Sequence, residues 1–132
     1  LRGGETMHAA EWIDHWITTF LSSSSGLLLA LLILVLLDYI TGVCLAVSEQ
    51  KISSKIGTKG IAAKVLIVCL VALSYIVDTR ILDSREKFSS VTILFYCANE
   101  VISIFENVNH FGLPLPRKFK ECMAGLKSKK SA

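Results

Sequence analysis

The strongest constraint on this chain is one run, LLLALLILVLLDYITGVCLAV from Leu27 to Val47, in which Asp38 is the single acidic or basic residue. A stretch of that length and apolarity suffices to cross the hydrocarbon core of a bilayer as a helix. A second apolar run, Ile61 to Leu82, holds Lys64 near its start and Asp78 and Arg80 near its end. A third, Val91 to Val108, is shorter and polar on one side. The hydrophobic fraction of 52% and the mean hydropathy of +0.56 exceed what an ordinary soluble domain of this size carries. The sequence therefore predicts an all-α integral membrane protein with three transmembrane helices. A cleaved signal peptide accounts poorly for the first run, which has no strongly basic flank, is too long and begins well inside the chain. The residues before Met7, LRGGET, read as an added leader and are set aside.

Lysine and arginine counts in the flanks give an orientation, because positive loops stay cytoplasmic. The connection Ser48 to Gly60 holds Lys51, Lys55 and Lys59 against Glu49. The tail holds Arg117, Lys118, Lys120, Lys127, Lys129 and Lys130 against Glu121. Between the second and third runs, Arg80, Arg85 and Lys87 are balanced by Asp78, Asp83 and Glu86, and Met7 to Gly26 has no lysine or arginine. The pattern fits three spans with the N-terminus outside and the C-terminus in the cytoplasm.

Ahead of the first span, AAEWIDHWITTFL places Trp12, Ile13, Trp16, Ile17 and Phe20 along one helical face. This predicts an amphipathic helix at the headgroup level, with Trp12 and Trp16 as membrane-interface residues. SSSSG, Ser22 to Gly26, reads as a flexible link. After GLPLP, where Pro114 and Pro116 stop the third helix, RKFKECMAGL sets Phe119, Cys122, Met123 and Leu126 on one face and basic residues on the other. Phe119 is thus a third interface residue. Three units follow: residues 1–25 as leader and interfacial helix, 26–116 as the membrane domain, and 117–132 as a basic cytoplasmic tail. The net charge of +3 sits beside the spans, which favours anionic lipid over nucleic acid as the partner of the bases.

Enzymatic and metal chemistry find little support. Cys44, Cys69, Cys97 and Cys122 form no CxxC pair, and His8, His15 and His110 are scattered without a second ligand at helical spacing. GTKG, Gly57 to Gly60, lacks the Gly-Lys-Ser/Thr ending of a phosphate loop and reads as a turn into the second span. No catalytic constellation, cofactor or metal is implied.

What remains is a set of polar groups inside apolar helices. The first run has fourteen Leu, Ile or Val residues, each contributing about −0.3 to −0.6 kcal/mol to insertion against about +2.5 to +3.5 kcal/mol for Asp38. It inserts despite the acid. The third run gains about −4 kcal/mol from its apolar residues and must carry Asn99, Glu100, Glu106 and Asn107, so it is marginal alone. Asn99, Ser103, Glu106 and His110 recur at helical spacing, as do Glu100, Ser103 and Asn107, so they share one broad face. Leu94, Ala98, Ile102 and Phe105 cover the other. In the first span Asp38 and Thr41 begin a weaker polar stripe, and Gly42 with Ala46 offers a surface for close helix contact. Lys64 enters the second span where it can reach Asp38 or Glu106. Because three short helices enclose little interior, the carboxylates are expected at a subunit interface or an aqueous lumen; the alternative is pairing inside a monomeric bundle.

DYITGV from Asp38, KISSKIGTKGIAAK from Lys51, NEVISIFENV from Asn99 and GLPLP from Gly112 occur in that order. Together they resemble the bacteriophage holins of the toxin-secretion and phage-lysis holin family over most of the chain. The resemblance implies a multi-pass protein of the bacterial inner membrane. It would assemble as a homo-oligomer and open a timed lesion through which an endolysin, or in some relatives a large toxin, leaves the cell. Asp38, Thr41, Gly42, Lys64, Asn99, Glu100, Ser103, Glu106 and Asn107 would then be the pore-lining or oligomer-interface residues. Two rival readings remain: a small oligomeric ion channel or transporter subunit, which would use the same polar stripes for selective conduction, and a non-conducting membrane scaffold, which would bind a partner through its basic cytoplasmic tail.

Overall fold

The computed structural model describes residues 8–23, 26–51 and 53–131, and every regular element among them is helical. In chain order these are α1 (Ala9–Ser23), α2 (Leu27–Ser48), α3 (Ser54–Ile76), α4 (Lys87–Phe111) and α5 (Arg117–Ser131), with a π-helical turn, Val77–Leu82, continuing α3. Three stretches are long and apolar enough to cross a membrane: Leu27–Ser48, Gly57–Leu82 and Lys87–Phe111. A bilayer offers backbone groups no water, so continuous helices, which bond every N–H and C=O internally, are the form such stretches take.

The spans overrun the apolar runs at their polar ends. GTKG is helical rather than a turn, because Gly57 and Gly60 lie inside α3. Neither glycine has a neighbour that an added Cβ would touch, so nothing there opposes continuing the helical ladder. The end of α4 also differs from a proline stop. Gly112, at φ 96°, takes the left-handed conformation. Its N–H donates to the Asn109 carbonyl at 3.1 Å and that of Leu113 to Val108 at 3.4 Å, the paired bonds of a Schellman ending. Pro114 and Pro116 follow a helix already closed. Of the SSSSG link, Ser22 and Ser23 are the end of α1 rather than a loop, and Ser24 and Ser25 lie outside the described residues, as do the first seven residues and the side chains of Trp16 and Phe20.

Each span buries one stripe at helical spacing. On α2 it is Leu28 and Leu31, with Val35 partly covered, then Asp38. On α3 and its π-helical extension it is Ile67, Val71, Ser74 and Asp78, and on α4 Ser89, Ile93 and Glu100, while Ile102 is buried on the other side of that helix. Leu28, Leu31, Ile67, Val71 and Ile93 form one apolar cluster. α2 and α4 run parallel with α3 antiparallel to both, and α4 packs against α2, α3, the π-turn and α5. An open apolar groove of about 580 Å³ separates α2 from α3, lined by Leu32, Val35, Tyr39, Ile61, Val65 and Val68, and Lys64 lies within it. The opposite faces carry exposed Leu29, Ile33 and Ile40 on α2 and Leu66, Leu70 and Leu73 on α3, the surface a lipid-facing helix presents. α1 likewise leaves Trp12, Ile13 and Ile17 exposed on one face.

Candidate functional site

The apolar cluster lies between two polar nodes. At one end the Lys64 ammonium of α3 crosses to both neighbours. It donates to Glu100 Oε2 of α4 at 2.6 Å and to Asp38 Oδ2 of α2. Asn107, two turns beyond Glu100 on α4, donates from Nδ2 to Asp38 Oδ1 at 3.1 Å and to Thr41 Oγ1 at 3.1 Å. The Thr41 hydroxyl returns a bond to the Asp38 carbonyl at 3.1 Å. A Cβ added at Gly42 would stand 3.6 Å from Asn107 Nδ2, so this glycine sits against the same side chain. One basic and two acidic groups thus join all three spans. The Glu100 side chain is 2% exposed, and in surroundings this apolar an ion pair is held by its hydrogen bonds as much as by charge.

The spacing along α3 explains the convergence. Lys64, Ile67, Val71, Ser74 and Asp78 fall on one face, so the stripe that delivers the lysine to one node delivers an aspartate to the other. Asp78 is wholly buried. Its Oδ1 accepts from the Phe88 N–H at 3.1 Å and from the Ser84 hydroxyl, and its Oδ2 from the Ser89 N–H at 2.5 Å. α4 starts from Glu86, which is left-handed at φ 63° and supplies no side-chain cap. Asp78 fills that role from another helix, satisfying first-turn N–H groups that would otherwise be buried without a partner.

Of the polar residues singled out in the sequence, Asp38, Thr41, Gly42, Lys64, Glu100 and Asn107 meet in the first node. Asn99 and Ser103 are half-buried on α4. Glu106 points elsewhere: Lys127 of α5 pairs with it at 2.8 Å, while Lys64 selects Glu100. The face assigned to Leu94, Ala98, Ile102 and Phe105 is not uniform. Leu94 is exposed, Ile102 is buried, and Phe105 meets Phe119 of α5 edge to face at 5.4 Å between ring centres. The Asp78 node is what sequence reasoning missed. Its signal was an acid on the Lys64 stripe ahead of Ser84 and Ser89 at the opening of the next helix.

Among the described residues no three His, Cys, Asp or Glu side chains converge as a metal site would require. What the first node offers is exchangeable polar partners inside an apolar bundle: carboxylates, an ammonium and an amide that can bond one another, water or the same groups of another chain.

Comparison with known proteins agrees with this architecture. The family model described as the bacteriophage holin family matches residues 15–128. An uncharacterised protein of Halalkalibacterium halodurans is 38% identical over 109 residues, covering 80% of this chain and 81% of that one. An uncharacterised 14.9 kDa protein of Clostridium perfringens is 35% identical over 103 residues, 78% of each. A probable holin of Bacillus phage phi105 is 35% identical over 86 residues, 65% of this chain and 63% of the phage protein. No solved structure matches. With three spans in the structure and the family model covering nearly its whole length, this multi-pass membrane chain belongs to the bacteriophage holin family.

Proposed function

We propose that the chain is a holin of the bacterial inner membrane, oriented N-out and C-in, which assembles into homo-oligomers and opens a timed lesion for an endolysin or a large toxin. The observation that carries this reading is the node of Asp38, Lys64, Glu100 and Asn107, buried in the single chain and bridging all three spans. In lipid these groups must stay paired, because a carboxylate facing acyl chains costs several kcal/mol. Between assembled copies they can trade partners or meet water at little net cost. The closed node thus keeps a lone chain harmless, and assembly turns the α4 face bearing Asn99, Glu100, Ser103, Glu106 and Asn107 toward neighbours or a lumen. α1, through Trp12 and Trp16, lies at the headgroup level as an interfacial unit ahead of the membrane domain of residues 26–116.

The test is induced expression in a bacterium holding a cytoplasmic endolysin that lacks an export signal, with culture turbidity followed in time. Abrupt clearing after a delay, requiring both proteins, is expected. Continued growth with the chain demonstrably in the membrane would refute release of folded protein, and ion flux without clearing would assign a selective channel instead.

A further inference from the structure

We propose that α5 carries a docking surface for an anionic bilayer, formed by Lys118, Phe119, Cys122 and Lys129. One side of this helix is held against α4. Arg117 pairs with Glu121 one turn on at 2.9 Å, and Lys127 with Glu106 at 2.8 Å. Met123 and Leu126 are half-buried, turned to the side where Phe119 meets Phe105. Turned away from that side is the stripe Lys118, Cys122, Gly125, Lys129, spaced to share one face. All four are exposed, and an added Cβ at Gly125 would meet nothing within 4 Å.

Place and charge commit the surface to one partner. The contacts through Phe105 and Glu106 hold α5 against the last two turns of α4, a helix 25 residues long. At 1.5 Å per residue such a helix spans roughly 37 Å, longer than a hydrocarbon core of about 30 Å. The excess falls at the polar end that holds Glu106, Asn107, Asn109 and His110, which puts α5 beside it in the headgroup layer. Two lysines there, at the ends of a stripe whose middle residues are small, let the helix approach closely while each ammonium reaches a lipid phosphate. The half-exposed Phe119 ring supplies the apolar contact an interfacial helix makes.

The full-length protein, with Cys44, Cys69 and Cys97 replaced by Ala and a polarity-sensitive fluorophore on Cys122, is reconstituted in vesicles of phosphatidylcholine with and without phosphatidylglycerol. A blue shift confined to the anionic vesicles is expected, reversed at about 0.5 M salt, where screening acts over a few ångströms. With each lysine worth about fivefold near an anionic surface, the double variant Lys118→Gln/Lys129→Gln weakens the lipid-dependent equilibrium roughly 25-fold. Because both residues are exposed and outside the bundle, the variant leaves folding intact, which circular dichroism confirms. Equal emission in both vesicles, or a shift that survives both substitutions, would overturn the proposal and leave α5 a helix bound to α4 alone or reserved for a protein partner.

Discussion

Lys64 decides whether the three spans agree. Its single charge serves two buried acids, so removing it strands both. Lys64→Met should therefore destabilise the folded bundle by about 3 to 5 kcal/mol, the range for breaking a buried pair by deleting one partner, read as reversible unfolding in detergent micelles. Restoring neutrality tests the cause. Lys64→Met combined with Asp38→Asn and Glu100→Gln should recover most of that loss, because shape and hydrogen-bonding capacity return without stranded charge. Gly42 marks the same contact from the other side. A methyl group there would sit in ordinary contact with Asn107, so Gly42→Ala should cost under about 1 kcal/mol, whereas Gly42→Leu should displace Asn107 and cost about 1 to 3 kcal/mol as an overpacked site. Asp38 and Glu100 were legible in the sequence because an acid in an apolar run is expensive wherever it lies. The choice of Glu100 over Glu106 by Lys64 was not, since it depends on the height at which α3 meets α4, and helical periodicity fixes faces but not heights.

At the scale of elements, the hairpin between α3 and α4 shows a helix end secured from a distance. Three non-glycine residues in its turn, Asp83, Arg85 and Glu86, have positive φ, a conformation that costs about 1 kcal/mol or more each. The Asp78 carboxylate holds the turn by engaging Ser84, Phe88 and Ser89. Asp78→Ala should thus cost about 1 to 2 kcal/mol as a lost cap. Amide exchange at Phe88 and Ser89 should quicken while that of Val71 in the middle of α3 stays protected; uniform exchange across the hairpin would show that Asp78 is not its cap. The three spans were legible from hydropathy, and α1 and α5 from amphipathic spacing. Their limits were less so, for GTKG looks like a turn until the helix is seen to cross it, and Gly112 closes α4 before the prolines can.

Across the whole molecule, an apolar seam of Leu28, Leu31, Ile67, Val71 and Ile93 lies between the two polar nodes. In water such a seam would drive folding, but lipid is as apolar as leucine and rewards its burial little. Specificity then falls to the nodes, which are satisfied in one arrangement of the three spans. That explains why the third run, marginal for insertion alone, forms a full-length helix beside α2. The three spans followed from apolar length, whereas the nodes required knowing which helices are neighbours. Whether the Lys64 node governs both the closed chain and its assembly is read from the lysis time of the neutral triple variant beside a cytoplasmic endolysin. With Lys64→Met, Asp38→Asn and Glu100→Gln together, the chain should accumulate normally in the membrane while lysis is abolished or shifted severalfold in time. Clearing at the wild-type moment, at equal membrane levels, would contradict it and reduce the node to a structural fastening.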